Sequence, residues 1–476
     1  MSTESLFWYD LETWGANVQK DHPVQFAGIR TDLELNVIGK PLNLFCQIPS
    51  DYLPHPMACM ITGITPQQSL RDGMVEAEFI KRIHQEFSQP NTCVAGYNSL
   101  RFDDEVMRYS FYRNFYDPYQ REWQQGNSRW DIIDMVRACY ALRPEGIEWP
   151  LREDGSPSFK LETLTEANNL VHQQAHDALS DVRATIALAK LIKDKQPKLY
   201  QYLFNLRSKQ QVQAQIDCFN MTPLVHISSK LPASQGCCTW IVPVCQHPKN
   251  KNAVVVLNLM LDPGPLLEWD AQRLRERLYT PASQLDEGEE RLPIKLLHIN
   301  KCPVIAPAKT LTAENAERLG IDRQKCLDNL KLLKEAPGLV QKLQEVFEEE
   351  AMERQLDADH ALYTGGFLSD ADRAKCEQIR QLAPQQLGAR EWQFQDPRLN
   401  TLLFRYRARN YPATLNQDEL EKWQRHRQYR LLDNDSPASI HLEEFLLEIE
   451  HLGQEHQQDS NKLAILRALY QYAKNI

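Results

Sequence analysis

Hydrophobic and polar positions change period along this chain. Leu6 to Thr13 is an aromatic and aliphatic run interrupted by Asp10 and Glu12, with Leu11 between them. In a strand successive side chains alternate faces, so the two carboxylates share one face and Leu11 takes the other. "QFAGIRTD" and "LNVIGKPLNLFCQI" also read as strands, and "TCVAGYN" as a short buried one ending at Tyr97. "EAEFIKRIHQEF" carries Phe79, Ile83 and Phe87 four apart, the helical period. "FDDEVMRYSFYRNF" reads as a helix that opens on acids, where the positive end of the helix dipole favours them. Mixed strands and helices up to about Phe204 predict an α/β domain.

From about Asn205 to Glu350 the texture shifts to short β-rich runs, "TPLVHIS", "TWIVPVC", "NAVVVLNL" and "IKLLHINKCPVI", separated by Pro, Gly and Asn. That predicts a small barrel or sandwich, turning helical from "AERLGIDRQKCLDNLKLLKE" onward. From about Ala351 to Ile476, helix-period apolar residues in "LNTLLFRYRARN" and "NKLAILRALYQYAKNI" predict a helical domain. The expected domains are therefore 1–200, 201–350 and 351–476. No solenoid repeat or low-complexity tract appears.

Composition agrees. At 476 residues the chain is long enough for about three domains at about 150 residues each. With 42% hydrophobic and 25% charged residues it falls in the globular class. No run approaches the ~18 apolar residues of a membrane span, since "AVVVLNLML" is broken by Asn258. The N-terminus lacks a basic segment followed by an apolar one, so a cytoplasmic location is expected. Eleven cysteines without a Cys-x-x-Cys pair point to reduced, mostly buried thiols rather than structural zinc or a disulfide framework. The net charge of -10 counts against a polyanionic substrate. Binding responds to local charge, however, and metal ions reverse the sign of an acidic site.

Three acidic stretches are candidates for chemistry. Asp10 and Glu12, roughly 7 Å apart along a strand and flanked by Phe7, Trp8, Tyr9 and Trp14, repel each other unless a cation sits between them. A hard metal ion fits; equally, Asp-x-Glu is common among 64 acidic residues. In "GYNSLRFDDEV" a strand ends, a polar turn follows, and Asp103 falls where a helix begins, open to a substrate or serving with Asp104 as an ordinary N-cap. In "HDALSDVRATIALAKLI" a helical stripe of Ala178, Val182, Thr185, Ala189 and Ile192 leaves Asp181 on or beside the packing face, costly unless paired or metal-bound. His176 lies just ahead of this helix.

"DLET", "YNSLRFD" and "HDALSDVRAT" resemble the three motifs of the DEDDh 3'-5' exonucleases, whose fold is ribonuclease H-like. "FDDEVMRYSFYRNFYDPY", "NSRWDIIDMVRACYALRPEGIEWP", "LLHINKCPVIAP" and "LLFRYRARNYPATL" extend the resemblance along the whole chain to the bacterial exonuclease I family. The resemblance implies a ribonuclease H-like α/β exonuclease domain, an SH3-like β-rich middle domain and a helical C-terminal domain, enclosing the active site from above. It implies Asp10, Glu12, Asp103 and Asp181 as ligands of two Mg2+ ions, for which Mn2+ can substitute. His176 is then the general base, with Glu12 and Lys160 as substrate contacts. The implied activity is 3' to 5' degradation of single-stranded DNA to nucleoside 5'-monophosphates in repair and recombination, by a monomer.

Basic and aromatic residues interleave as a DNA strand needs, bases stacking on rings and guanidinium groups holding phosphates. Arg108, Tyr119, Trp123 and Arg137 are candidates near the acids, and Lys209 and Asn252 in the middle domain, although such aromatics often belong to a core. Arg405, Arg407 and Arg409 cannot all share one helix face and are assigned to domain contacts first and DNA second. The resemblance further implies association with the acidic C-terminal tail of single-stranded DNA-binding protein, with Arg143 and Tyr202 as the pocket residues. Two other readings remain: an exoribonuclease of the same superfamily, and a noncatalytic single-stranded DNA-binding scaffold. The second predicts loss of one of the five catalytic residues, and none is lost.

Overall fold

The structure is a computed structural model and describes residues 4–170, 177–285, 291–348 and 356–476. Two compact units emerge, one drawn from Met1–Ser128, His172–Thr185 and Glu353–Ile476, the other from Arg129–Val171 and Ile186–Met352.

In the first unit β1 (Ser5–Thr13) lies between an antiparallel neighbour, β2 (Pro23–Thr31), and a parallel one, β4 (Thr92–Gly96), with β3 (Leu42–Phe45) antiparallel on the outer side of β2. A parallel pair needs a crossover, and the helix Glu76–Phe87 lies within it. Phe79, Ile80, Ile83 and Phe87 are fully buried against Phe7, Tyr9, Leu11 and Phe26. Because Tyr9 and Leu11 face this core, Asp10 and Glu12 face away from it. The stretch "LNVIGKPLNLFCQI" forms less strand than its composition predicts: only Leu42–Phe45 is a strand, and Val37 makes one isolated bridge to Thr31. Gly39, at φ +80, and the following Pro41 interrupt the extended backbone.

The C-terminal part of this unit is helical as expected, with Arg398–Asn410, Gln417–Leu432, Leu442–Glu455 and Ser460–Ala473. Leu431, Phe445, Leu452, Leu466 and Leu469 share one apolar cluster with Trp14, Val24, Tyr52 and Leu53. A buried ion network adds to this. Arg409 bonds Asp51 at 2.8 Å and Asp359 at 2.7 Å, and Arg405 bonds Asp357 at 2.6 Å and Asp359 at 2.9 Å. Arg407, between them on the helix, turns to Glu419. The three arginines are thus occupied by contacts within the unit, as their spacing implied.

Along the chain β4 is followed by β5 (Ser128–Asp131). In the second unit β6 (Leu224–Ile227), β7 (Cys238–Gln246), β8 (Ala253–Asn258), β9 (Ile294–His298) and β10 (Val304–Pro307) form an antiparallel sheet in the order β10-β6-β7-β8-β9. Val254 to Leu257 are wholly buried, so β8 is covered on both faces. The predicted stripe on the helix Ala178–Lys195 is real: Ala178, Val182, Thr185, Ala189 and Ile192 are all buried. All eleven cysteines are free and nine are buried. Among the described residues no helix is long and apolar enough to cross a membrane.

Burial by itself raises the carboxyls of Asp51 and Asp359, but Arg409, helped by His426 on one and Arg405 on the other, holds both well below the usual range. Against burial, Arg113 and His22 bring Glu76 down to about 2. A carboxyl that ionises more readily folded than unfolded stabilises the fold above its unfolded pKa and loses that contribution as pH falls. Unfolding free energy should therefore drop from about pH 5 to about pH 2. Arg409→Leu, which removes the guanidinium shared by two buried carboxylates, should cost about 3–5 kcal/mol at neutral pH and make the acid limb shallower; urea unfolding at several pH values measures both.

Candidate active site

β1 carries Asp10 and Glu12 onto one face, paired in register with Ala27 and Gln25 of β2. After β4 the chain reverses through Asn98, in the left-handed region at φ 61, and the turn Ser99–Arg101 before the helix Asp103–Arg113. The N-cap position is Phe102, which has no side-chain acceptor, so Asp103 lies inside the first turn. Its Oδ1 accepts the backbone N–H of Leu11 at 3.2 Å, fastening the helix start to β1. Asp103 is therefore a neighbour of the β1 acids and not an N-cap.

The third element is the helix Ala178–Lys195, with Asp181 in its first turn. Just before it, Asp177 accepts the backbone N–H of Ser180 at 3.1 Å and the side-chain amide of Gln25 at 3.2 Å, which joins the helix start to β2. Side-chain oxygens of Asp10, Glu12 and Asp181 all lie within 4.8 Å of one another. Burial, then the charges of Asp103, Glu12, Asp181 and Asp177, push the Asp10 carboxyl well above the usual range. Glu12 is pushed up to about 8, by burial first and then by Asp181, Asp103 and Asp177. Such an all-oxygen, half-buried and mutually repelling donor set suits a hard divalent cation. His176 lies outside the described residues.

The other sequence-predicted positions fall into separate groups. Arg108 is buried, its guanidinium held by Glu122 at 2.9 Å and Glu105 at 2.7 Å and placed over the ring of Tyr119. Tyr119 is half-buried, whereas Trp123 is 66% exposed. Two residues missed in the sequence complete this aromatic group: Tyr363, 6.5 Å from Tyr119 and hydrogen-bonded to Glu105, and Phe367, 6.1 Å from Tyr119 and 86% exposed. They stand more than two hundred residues further along the chain, and no local pattern links them to it.

In the second unit Arg137 and Lys160 line one cavity of about 350 Å3 together with Arg152, which sequence reasoning also missed. Lys160 and Arg152 are exposed, while Arg137 is buried and paired with Asp134 at 2.5 Å. Lys209 and Asn252 meet, the ammonium donating to the amide oxygen at 2.6 Å on the surface. Arg143 and Tyr202 converge on one segment: Arg143 donates to the carbonyl of Thr310 and Tyr202 to that of Ile305.

A mixed sheet whose inner strand bears two acids, joined by acids from the starts of two helices, defines an exonuclease of ribonuclease H-like fold, and the family model described as "Exonuclease" matches residues 7–189. Those for the "Exonuclease I SH3-like domain" and "Exonuclease I C-terminal domain" match residues 207–349 and 356–476. The chain is 49% identical to exodeoxyribonuclease I of Escherichia coli over 99% of its own length and 98% of the relative's. For the Haemophilus influenzae enzyme of the same name the identity is 48%, over 98% of each chain. The chain belongs to the exodeoxyribonuclease I family. Among solved structures, E. coli exonuclease I with a dA16 oligonucleotide superimposes with a TM-score of 0.96 at 49% identity, covering 99% of this chain and 100% of that one. A zinc-bound complex of that enzyme with single-stranded DNA gives 0.95 at 48% identity, covering 100% and 99%. One of SSB and exonuclease I with an inhibitor gives 0.92 at 48%, covering all of both chains.

Repulsion within the cluster has a measurable consequence. In a chelator at pH 8, Asp181→Asn and Glu12→Gln should each raise the midpoint of urea unfolding above that of the unaltered chain, because each removes a negative charge that its neighbours oppose. A lower midpoint for both would contradict this electrostatic description.

Proposed function

We propose that this chain removes nucleotides stepwise from the 3' end of single-stranded DNA, releasing nucleoside 5'-monophosphates. In this reading Asp10, Glu12, Asp103 and Asp181 hold two divalent cations, Mg2+ or in its place Mn2+. The observation that carries it is the convergence of Asp10, Glu12 and Asp181 oxygens within 4.8 Å, with Asp103 bonded to the backbone beside them. When bound, a pair of such ions supplies an activated water and stabilises the charge on the leaving oxygen.

The chain's own residues supply the rest. His176 takes the proton of the attacking water, since an imidazole ordinarily titrates near neutral pH, at about 6.5. Glu12, half-buried at the edge of the cluster, orients the terminal 3'-hydroxyl. Lys160, exposed in the cavity it shares with Arg137 and Arg152, meets a phosphate. Trp123 and Tyr119 offer rings to bases, with Arg108 holding Tyr119 from behind. Lys209 and Asn252 form a paired phosphate contact on the middle domain. Oligonucleotide complexes of the E. coli relative support single-stranded DNA as the substrate.

The structure of SSB with exonuclease I supports single-stranded DNA-binding protein as a partner; in this reading its acidic C-terminal tail meets Arg143 and Tyr202. A monomer acting in the cytoplasm, in DNA repair and recombination, completes it.

A single-stranded oligonucleotide labelled at its 3' or 5' end tests the activity. The 3' label should appear at once as mononucleotide and the 5' label only at the end of digestion, with EDTA stopping both and a blunt duplex resisting. His176→Ala should lower kcat by about 10²–10⁴-fold with unchanged DNA affinity; an Asp181→Ala protein of near-full activity would overturn the assignment. Arg143→Ala should weaken binding of the tail peptide, measured by fluorescence anisotropy, without altering digestion of free oligonucleotide.

A further inference from the structure

On the core side of β1, beneath the acid cluster, a second set of polar groups is buried. The hydroxyl of Tyr9 donates to Asp104 Oδ1 at 2.6 Å, and Nη2 of Arg121 donates to the same oxygen at 2.7 Å. All three residues are at most 3% exposed. The Arg121 guanidinium lies over the Phe87 ring, 4.6 Å from its centroid, and among the described residues its Nε and Nη1 have no hydrogen-bond partner. Burying an ion pair in an aromatic core costs stability relative to apolar packing, and the two unpartnered groups add to that cost. The arrangement calls for a compensating role.

Position in the sequence suggests one. Tyr9 precedes Asp10, and Asp104 follows Asp103, so the buried contact joins the residues next to two of the acids. Leu11, on the other side of Asp10, donates its backbone N–H to Asp103. Strand and helix are thus clamped on both sides of Asp10, by contacts spanning 95 and 92 residues of chain. The Tyr9–Asp104 contact adds a buried anchor between β1 and the first turn of the helix Asp103–Arg113, beside the bond from Leu11. Arg121 balances the Asp104 charge, so that this additional carboxylate lends a hydrogen bond to the frame without adding its full repulsion.

We infer that Tyr9, Asp104 and Arg121 are positioning residues: they fix the spacing of Asp10 and Asp103 and thereby set the affinity of the acid cluster for divalent cations. The inference rests on the metal reading given above. Groups that orient metal ligands from behind typically contribute 10- to 100-fold in affinity.

Tyr9→Phe tests this with little disturbance, because it keeps the ring's packing on Phe26 and Phe87 and removes only the hydroxyl; Asp104→Asn is the second variant. Mn2+ is titrated into each full-length protein without DNA by calorimetry. Affinity for a fluorescein-labelled oligo-dT is measured in EDTA, and thermal midpoints are recorded. Each variant should bind Mn2+ on the order of 10-fold more weakly while DNA affinity in EDTA is unchanged, and excess Mn2+ should restore kcat. The double variant should be no weaker than the worse single one, since both break one clamp. Unchanged Mn2+ affinity in a folded Tyr9→Phe protein would overturn the inference, as would metal and DNA affinity falling together in step with thermal stability. An unaltered chain that takes up no Mn2+ would remove the metal reading first and this inference with it.

Discussion

Like charges held close together on one face of an inner strand are the constraint on which the rest of the structure depends. Asp10 and Glu12 cannot separate, because the alternation of β1 fixes their common face and Tyr9 and Leu11 are committed to the core on the other. Asp103 and Asp181 are brought in by helix starts that are themselves tied down, one to the backbone of Leu11 and the other through Asp177 to Gln25 of β2. The fold therefore assembles a pocket that opposes its own ionisation, pushing Glu12 up to about 8. A divalent cation bound there relieves the repulsion that folding creates, so binding stabilises the folded chain.

Rigidity around that pocket comes from more than the sheet. The C-terminal helices share an apolar cluster with Trp14 and Val24, immediately beyond β1 and at the start of β2, and so brace the end of the strand that carries Glu12. Buried ion pairs accompany this apolar contact. Arg409 satisfies Asp51 and Asp359 together, and Asp359 is shared with Arg405 one helical turn earlier. Pairs of this kind add little net stability over apolar packing but penalise every misaligned docking, because a shift leaves charges buried and unpaired. Alignment of the C-terminal helices with residues near β1 is thereby specified rather than merely favoured.

Polar groups in this protein do two kinds of work, distinguished by burial and partners. The guanidinium of Arg108 is held by Glu105 and Glu122 over the ring of Tyr119, whereas Lys160 and Arg152 stand exposed in their cavity. An arginine in a basic-aromatic sequence stretch can thus be a scaffold or a ligand contact, and composition does not separate them. Arg405, Arg407 and Arg409 are the clearest scaffold cases: their spacing already ruled out a common face, but not which acids they would find.

The sequence by itself determined the local facts. Period-2 alternation put Asp10 and Glu12 together, the period of 3.6 put Ala178, Val182, Thr185, Ala189 and Ile192 on a buried stripe beside Asp181, and resemblance supplied the family. It overstated the strand around Val37, where Gly39 and Pro41 break the extended backbone. Only the tertiary structure decided that Asp103 sits inside its helix bonded to Leu11, that Tyr9 and Asp104 meet, that Lys209 pairs with Asn252, and that Tyr363 and Phe367 join Tyr119. The reason is range. Backbone periodicity is set by steric rules acting within a few residues and is written in any short stretch, whereas a contact across 95 or 258 residues depends on how whole elements pack, which no local pattern records.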